Sequence, residues 1–177
     1  MTNGLDILAQ TVITGNLILI QGLGLYALTR YTKSVKEAAW TGLSTLVAML
    51  LGGLLLWLFQ GIQLTSLSVE VGYYLVVGIM AALMAYKLLG RNISLEDALT
   101  DSALVGLLLL LSRDGVTGVN SLWVTLGAGV GYVLTLLVMA TLRQRLDLAP
   151  VPKALRGTPI VLITAGLLAI ALMGFRF

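Results

Sequence analysis

Six stretches of almost uninterrupted apolar residues, separated by short polar loops, make up most of this 177-residue chain. They cover residues 5–29, 38–61, 69–89, 98–112, 122–142 and 159–175. One crossing of a bilayer needs about 20 apolar residues, so most of these stretches have the length of a membrane-spanning helix. Only 11% of the residues are charged and 58% are hydrophobic, which leaves too few charges to cover a water-soluble surface. We predict an all-α polytopic membrane protein with six transmembrane helices.

The positive charges lie mainly in alternate loops. Nine of the eleven lysines and arginines lie after the first, third and fifth apolar stretches or, in the case of Lys87, at the end of the third. Loops rich in lysine and arginine stay on the cytoplasmic side of a membrane. The charge pattern therefore predicts a multi-pass protein with both termini on the non-cytoplasmic side.

A weak internal repeat relates the two halves of the chain. Leu28-Thr29-Arg30 resembles Leu111-Ser112-Arg113, and Trp40 and Trp123 each follow ten residues after the arginine. We predict one membrane domain over residues 1–177, built from repeats at about 5–91 and 96–177. Three helices per repeat would invert the second copy in the membrane, and inverted repeats place functional centres between the halves near the midplane.

Polar side chains interrupt the first apolar stretch. Gln10, Thr14, Asn16 and Gln21 lie within it, and Gln10, Thr14 and Gln21 can share one face of a continuous helix. Polar groups inside hydrocarbon are costly and tend to be functional. Gln10, Asn16 and Gln21 are predicted to line an ion or substrate path. Hydrogen bonds that only hold the helices together are the alternative.

The first and fourth stretches have features of broken helices. Gly22 and Gly24 weaken a helix in the first, and the fourth is short and preceded by acidic residues. Asp101 lies about one turn inside the fourth stretch. It is predicted either as a buried ionisable group for a cation or proton step or as a carboxylate at the cytoplasmic interface.

The absence of whole residue types restricts the chemistry. The chain has no cysteine and no histidine, so it offers no disulfide, thiolate zinc site or histidine-ligated haem. We predict no catalytic residue, no metal site and no cofactor bound by this chain alone. The net charge of +3 is too small to suggest nucleic acid as a partner.

The last third of the chain reads RQRLDLAPVPKALRG over residues 143–157, then IVLITAGL over residues 160–167, and MGF over residues 173–175. These segments resemble the RnfA/NqrE family of membrane subunits from Rnf and Nqr electron-transport complexes, which has an R-x-R-L-x-x-A-x-V-P-x-x-x-R-G loop, followed by I-x-L-I-T-A-G-L and a final M-G-F. The loop residues correspond here to Arg143, Arg145, Leu146, Ala149, Val151, Pro152, Arg156 and Gly157, the second motif runs from Ile160 to Leu167, and Met173, Gly174 and Phe175 end the match. The resemblance implies six helices in two inverted halves and a location in the bacterial inner membrane.

The sequence departs from the family where two subunits of this kind hold an iron–sulfur cluster through cysteines. Tyr26 stands at the first cysteine position and Ser102 at the second, while Asp101 replaces an asparagine. Neither a phenol nor a serine hydroxyl is a normal ligand for this soft site. We therefore expect that this chain does not bind the cluster in the manner of the family.

The resemblance implies a membrane subunit of an Rnf/Nqr-like ion-translocating complex that has lost its cluster ligands and keeps a structural or ion-path role. Such a subunit is at most a non-redox part of a membrane oxidoreductase. Its partners would be the bilayer, other subunits, and a homologous subunit of opposite orientation or a second copy. The alternatives are a small-solute or ion transporter on the same fold and an accessory subunit of another respiratory or photosynthetic complex.

Overall fold

The computed structural model describes residues 4–58, 67–90, 102–113 and 119–174, and every regular element among them is helical. The helices are α1 (Gly4–Ile13), α2 (Leu25–Tyr31), α3 (Val35–Leu58), α4 (Leu67–Leu88), α5 (Ser102–Arg113), α6 (Val119–Leu148) and α7 (Thr158–Met173), with a 3₁₀ turn at Lys153–Leu155. Within this part of the chain, α3, α4 and α6 are long and apolar enough to cross a membrane, and α5 and α7 are shorter apolar helices. The prediction of an all-α polytopic membrane protein is confirmed.

The first predicted helix is broken in the middle. It ends at Ile13 and resumes at Leu25, with turns between them. Gly22 and Gly24 have φ angles of 70° and 84°, in the left-handed region that favours glycine. The predicted break is confirmed. The prediction that Gln10, Thr14 and Gln21 share one helical face is wrong, because Gln21 lies in the turns.

The side chain of Asn16 organises this break. Its Oδ1 accepts hydrogen bonds from the backbone N–H groups of Ile18 and Leu19, both at 3.1 Å. Its Nδ2 lies 2.9 Å from Thr135 Oγ1 and 3.3 Å from the Gly131 carbonyl oxygen, both on α6. Asn16 is only 3% exposed. One amide therefore supplies partners for backbone groups that the interrupted helix leaves free and ties the break to a neighbouring helix.

The fourth predicted helix is described only from Ser102 onward. Its twelve residues in α5 extend about 18 Å, which is less than the hydrocarbon thickness of a bilayer. The residues before it, including Asp101, lie outside the described part of the chain, so the second predicted break and the place of Asp101 stay predictions.

Helix α6 lies at the centre of the bundle and packs against α1 and α3. A Cβ atom added at Gly127 would lie 2.9 Å from Thr11 Cβ on α1, and one added at Gly129 would lie 2.9 Å from Leu46 Cγ on α3. The glycines of one short run thus face two different helices. In lipid, where water does not drive helices together, such close contact is a main source of association.

The third helix of each predicted repeat packs against the first helix of the other. Helix α4 contacts α5, and α7 contacts α2. The two tryptophans of the repeat also lie in the second turns of α3 and α6. Two interleaved inverted copies would produce this exchange of partners. The repeat itself stays a prediction.

Helix α6 continues past the predicted end at residue 142, as far as Leu148. Arg143 and Arg145 therefore belong to its last turns and not to a loop. The sequence after residue 142 contains good helix formers and no glycine or proline before Pro150, so nothing stops the helix earlier.

Alanine at Gly24 should destabilise the bundle more than alanine at Gly22. Both glycines have positive φ, but a Cβ atom at Gly24 would also lie 3.0 Å from Ala103 Cβ and from Tyr132 Cε2, whereas at Gly22 it meets open space. We expect Gly24→Ala to lower the free energy of unfolding by about 2–4 kcal/mol and Gly22→Ala by about 1 kcal/mol. Thermal unfolding in detergent would measure both, and equal losses would contradict the packing around Gly24.

Asn16→Ala should also be strongly destabilising. It leaves two backbone donors inside the break without their acceptor, and an unsatisfied buried group costs about 1–3 kcal/mol. The exposed Gln21 provides the control, since Gln21→Ala at a neighbouring position in the same break should change stability by less than about 0.5 kcal/mol. The same melting measurement applies. An Asn16→Ala protein as stable as the control would show that the amide does not hold the break together.

Candidate functional site

The break in the first helix meets the start of α5. The backbone N–H of Gly24 donates a hydrogen bond to Ser102 Oγ at 3.2 Å. Gly24 is buried there between Ala103 on α5 and Tyr132 on α6. The structure therefore brings the two sequence regions of Tyr26 and Ser102 together, although 76 positions separate these residues in the chain. We call this meeting point, formed by Gly24, Tyr26 and Ser102, the break junction.

Tyr26 lies on the outer side of the break junction. Its side chain is 41% exposed, and Ser102 is exposed as well. The Tyr26 hydroxyl accepts a hydrogen bond from Arg30 Nη1, one turn further along α2. The Arg30 guanidinium carbon also lies 5.6 Å from the centre of the Tyr26 ring and 5.9 Å from that of Tyr31. The Tyr26 side chain therefore contacts the Arg30 guanidinium in two ways, through a hydrogen bond to its hydroxyl and through the face of its ring.

The break junction offers hydroxyl oxygens and no sulfur. The chain has no cysteine, and no group of three His, Cys, Asp or Glu side chains with metal-site spacing occurs among the described residues. Iron–sulfur clusters are held by thiolates and, in some proteins, by histidines. The side chains present at Tyr26 and Ser102 therefore do not fit such a cluster, and the absence of a cluster from this chain stays a prediction.

A cavity of about 300 Å³ lies beside the break, between segments from both predicted repeats. Its first-half walls come from α1 and the turns, and its second-half walls from α5 and α6. The polar lining residues are Gln10, Thr11, Thr14 and Gln21, and the apolar ones include Leu17, Leu107, Leu111, Val124 and Ala128. The three residues predicted to share a helix face thus share a cavity, although the helix that was expected to align them is interrupted.

The polar lining residues of this cavity differ in their hydrogen bonding. The hydroxyls of Thr11 and Thr14 donate to the carbonyl oxygens of Ile7 and Gln10, four residues earlier in each case, at 2.7 Å and 2.8 Å. The side-chain amides of Gln10 and Gln21 make no hydrogen bond within the described part of the chain. Both amides are exposed. They are therefore the groups able to contact a polar species in the cavity.

Asn16 is predicted to line the same path, but its amide is not available for that role. Its amide is occupied by backbone groups of its own break and by Thr135. Asp101 lies outside the described residues. The structure thus brings Gln10 and Gln21 together at one cavity, whose lining does not include Asn16. It puts Tyr26 and Ser102 at the break junction.

Sequence reasoning missed a hydrogen-bonded chain between α4 and α5. Tyr74 Oη donates to Ser112 Oγ at 2.8 Å, and Ser112 Oγ donates to Glu70 Oε1 at 2.5 Å. All three side chains are partly buried. Glu70 could have been noticed as the acidic residue near the start of the third apolar stretch, but its partner on another helix could not. These hydrogen bonds join the two predicted repeats at the end of the bundle opposite to α2.

Arg143 also has a role that its sequence position did not reveal. Its Nη1 donates to the Thr29 carbonyl oxygen at 2.9 Å and to Thr32 Oγ1 at 3.3 Å. These acceptors lie at the end of α2, where free carbonyl groups and the helix dipole favour a cation. An arginine of the characteristic loop motif therefore fixes the end of the half-helix that carries Tyr26.

Comparisons with known proteins agree with this architecture. A family described as Rnf-Nqr subunit, membrane protein, matches residues 5–177. The chain is 35% identical to a subunit of the ion-translocating oxidoreductase complex from Syntrophotalea carbinolica, with 99% of this chain and 97% of that protein aligned. The subunits of the same description from Azoarcus sp. and from a Vibrio cholerae O1 El Tor strain are each 31% identical over the same shares. The match over nearly the whole length, together with the helical membrane architecture, shows that the chain belongs to the Rnf-Nqr family of membrane subunits.

Proposed function

We propose that this chain is a membrane subunit of an ion-translocating electron-transport complex, in which it holds no iron–sulfur cluster of its own and contributes structure and an ion path. The observation that carries the proposal is the break junction. Its geometry brings together the two positions at which the family resemblance implies cysteines, but Tyr26 and Ser102 stand there. The fold around the break junction is kept, but the residues in it are not thiols. This combination suits a subunit that stays in its complex without carrying the redox group.

The exposure of the break junction supports a partner at this surface. Tyr26 and Ser102 face outward from the bundle, so a second subunit can approach them directly. The proposed partner is a homologous membrane subunit of opposite orientation, or a second copy of this chain. Both termini then lie on the non-cytoplasmic side of a bacterial inner membrane, as the distribution of lysine and arginine predicts.

The cavity beside the break supports an ion path. It lies at the seam between the predicted repeats, and the amides of Gln10 and Gln21 offer oxygen atoms of the kind that sodium-like hard cations accept as ligands. Asp101, which precedes Ser102 in the sequence, is proposed as the carboxylate of this path. A small-solute transporter is the second candidate, favoured by the same cavity, since its mixed polar and apolar lining also suits a small polar organic molecule.

Purification through a tag on this chain would test the proposal. Gentle extraction from native membranes should recover the other subunits of an ion-translocating oxidoreductase. A homodimer that alone takes up a solute in liposomes would favour the transporter instead.

Replacing the two oxygen side chains by cysteines should change the iron content of the purified complex. If the break junction keeps the geometry of a cluster site, Tyr26→Cys/Ser102→Cys should raise iron and sulfide above the wild-type values and add visible absorbance. The control is Tyr74→Cys/Ser112→Cys, which makes the same substitutions at a hydrogen-bonded pair between α4 and α5. Equal iron in both variants would argue against a surviving site, and iron bound stoichiometrically by the wild-type chain itself would overturn the proposal.

Gln10→Leu and Gln21→Leu should each slow ion movement through the complex. Each removes an amide from the cavity, and the loss of one polar contact of about 1 kcal/mol corresponds to roughly a fivefold change. Electron-transfer-driven sodium and proton uptake into proteoliposomes would measure the effect. Gln144→Leu is the matched control, because Gln144 is exposed near the end of α6 and does not line the cavity. If both cavity variants transport like the control, this cavity is not the path.

A further inference from the structure

A second and larger cavity, of about 450 Å³, lies at the opposite end of the fold from the Glu70 chain. Its walls come from the start of α3 and from the residue that follows α4. The lining residues are Ser34, Lys36, Glu37, Trp40, Ser44 and Leu89. Neither the break junction nor the ion path uses any of them. We call it the α3–α4 cavity.

The α3–α4 cavity lies where the helices of the bundle would emerge from the hydrocarbon into the headgroup region. Lys33 and Lys87 are exposed at the same end of the bundle, next to α3 and in the last turn of α4. Trp40 is 50% exposed in the second turn of α3. Tryptophan prefers the membrane–water interface, because its ring is amphipathic, and lysine marks the same level.

Among the lining residues that the structure describes, one carries a positive charge and one a negative charge. Lys36 and Glu37 both line the α3–α4 cavity, and both side chains are exposed at its mouth. A purely anionic ligand would meet the Glu37 carboxylate, and a purely cationic one would meet the Lys36 ammonium. A ligand that carries both charges close together complements the pair.

The rest of the lining suits the ester and acyl parts of a lipid. Ser34 Oγ accepts the Glu37 backbone N–H at 3.2 Å, which leaves its own hydroxyl proton free to be donated. Ser44 donates its hydroxyl to the Trp40 carbonyl oxygen at 2.8 Å, so it presents no free donor. The Trp40 ring, one turn further along α3, and Leu89, next to the end of α4, supply the apolar part of the walls.

From this lining we propose that the α3–α4 cavity binds the headgroup of a zwitterionic aminophospholipid, a phosphatidylethanolamine. Lys36 and the Ser34 hydroxyl contact the phosphate, and Glu37 contacts the ammonium. The Trp40 ring lies against the glycerol and the upper part of an acyl chain. The lipid fills the space between α3 and α4 at the membrane surface.

Lipid competition tests the proposal. The protein, extracted gently with the subunits that accompany it, is equilibrated with equal amounts of phosphatidylethanolamine and phosphatidylglycerol, and native mass spectrometry counts the lipids retained. Phosphatidylglycerol has the phosphate but no ammonium. We expect wild-type protein to retain phosphatidylethanolamine about threefold over phosphatidylglycerol, the size of effect that one exposed ion pair gives.

Two variants and one control assign the contacts. Glu37→Gln should abolish the preference by losing phosphatidylethanolamine, and Lys36→Gln should reduce retention of both lipids. Lys33→Gln, which removes an exposed lysine outside the lining, should behave like wild type. All three positions are exposed, so an unchanged melting temperature in detergent verifies that the fold is intact. Equal retention of the two lipids by wild type, a preference for phosphatidylglycerol, or a preference that survives Glu37→Gln would each overturn the proposal.

Discussion

Backbone polar groups released by a helix break inside a membrane must find partners within the protein, because lipid offers none. In this chain one buried amide largely meets that requirement. Asn16 accepts two backbone N–H groups of the break through one atom and reaches α6 through the other. The break is therefore a defined structure attached to the central helix, and the arrangement of the break junction and of the neighbouring cavity follows from it.

Small residues give the break the space it needs. Glycines on α6 allow α1 and α3 to approach the central helix closely, and Gly24 allows the turns to contact α5. Because each helix contributes contacts to the opposite half, the cavity and the break junction are enclosed jointly by both halves. The Glu70 chain and the Arg143 contacts then fasten the two ends of the bundle. Movement of one half relative to the other would have to disturb these polar contacts.

The proposed function requires that the fold of the subunit persists when its cofactor is lost. The elements that shape the break junction are backbone turns, glycines and a buried amide, none of which is a cluster ligand. Under the proposed function, replacement of thiols by a phenol and a hydroxyl would remove affinity for iron and leave those elements in place. The phenol gains a cation as neighbour, since Arg30 contacts both its oxygen and its ring. Such a protein retains the surface through which it joins a complex even where no electron passes through it.

The sequence by itself determined the class of protein, its helices and the break in the first predicted helix. Apolar length predicted most helix ends to within a few residues, although α6 continues six residues past its predicted end. Gly22 and Gly24 indicated the break, because each of these signals acts over a single turn or a single helix. The characteristic loop of the last third identified the family. The absence of cysteine and histidine settled which ligands the chain lacks.

Only the tertiary structure decided which of these residues meet. Gln10 and Gln21 share a cavity although no continuous helix aligns them, and Asn16 turned out to hold the break while Glu70 gained a partner on α5. The contacts of Glu70 with Ser112 and of Asn16 with Thr135 join residues 42 and 119 positions apart. They depend on how closely the helices pack, which is set by many small side chains at once, so no local pattern in the sequence encodes them.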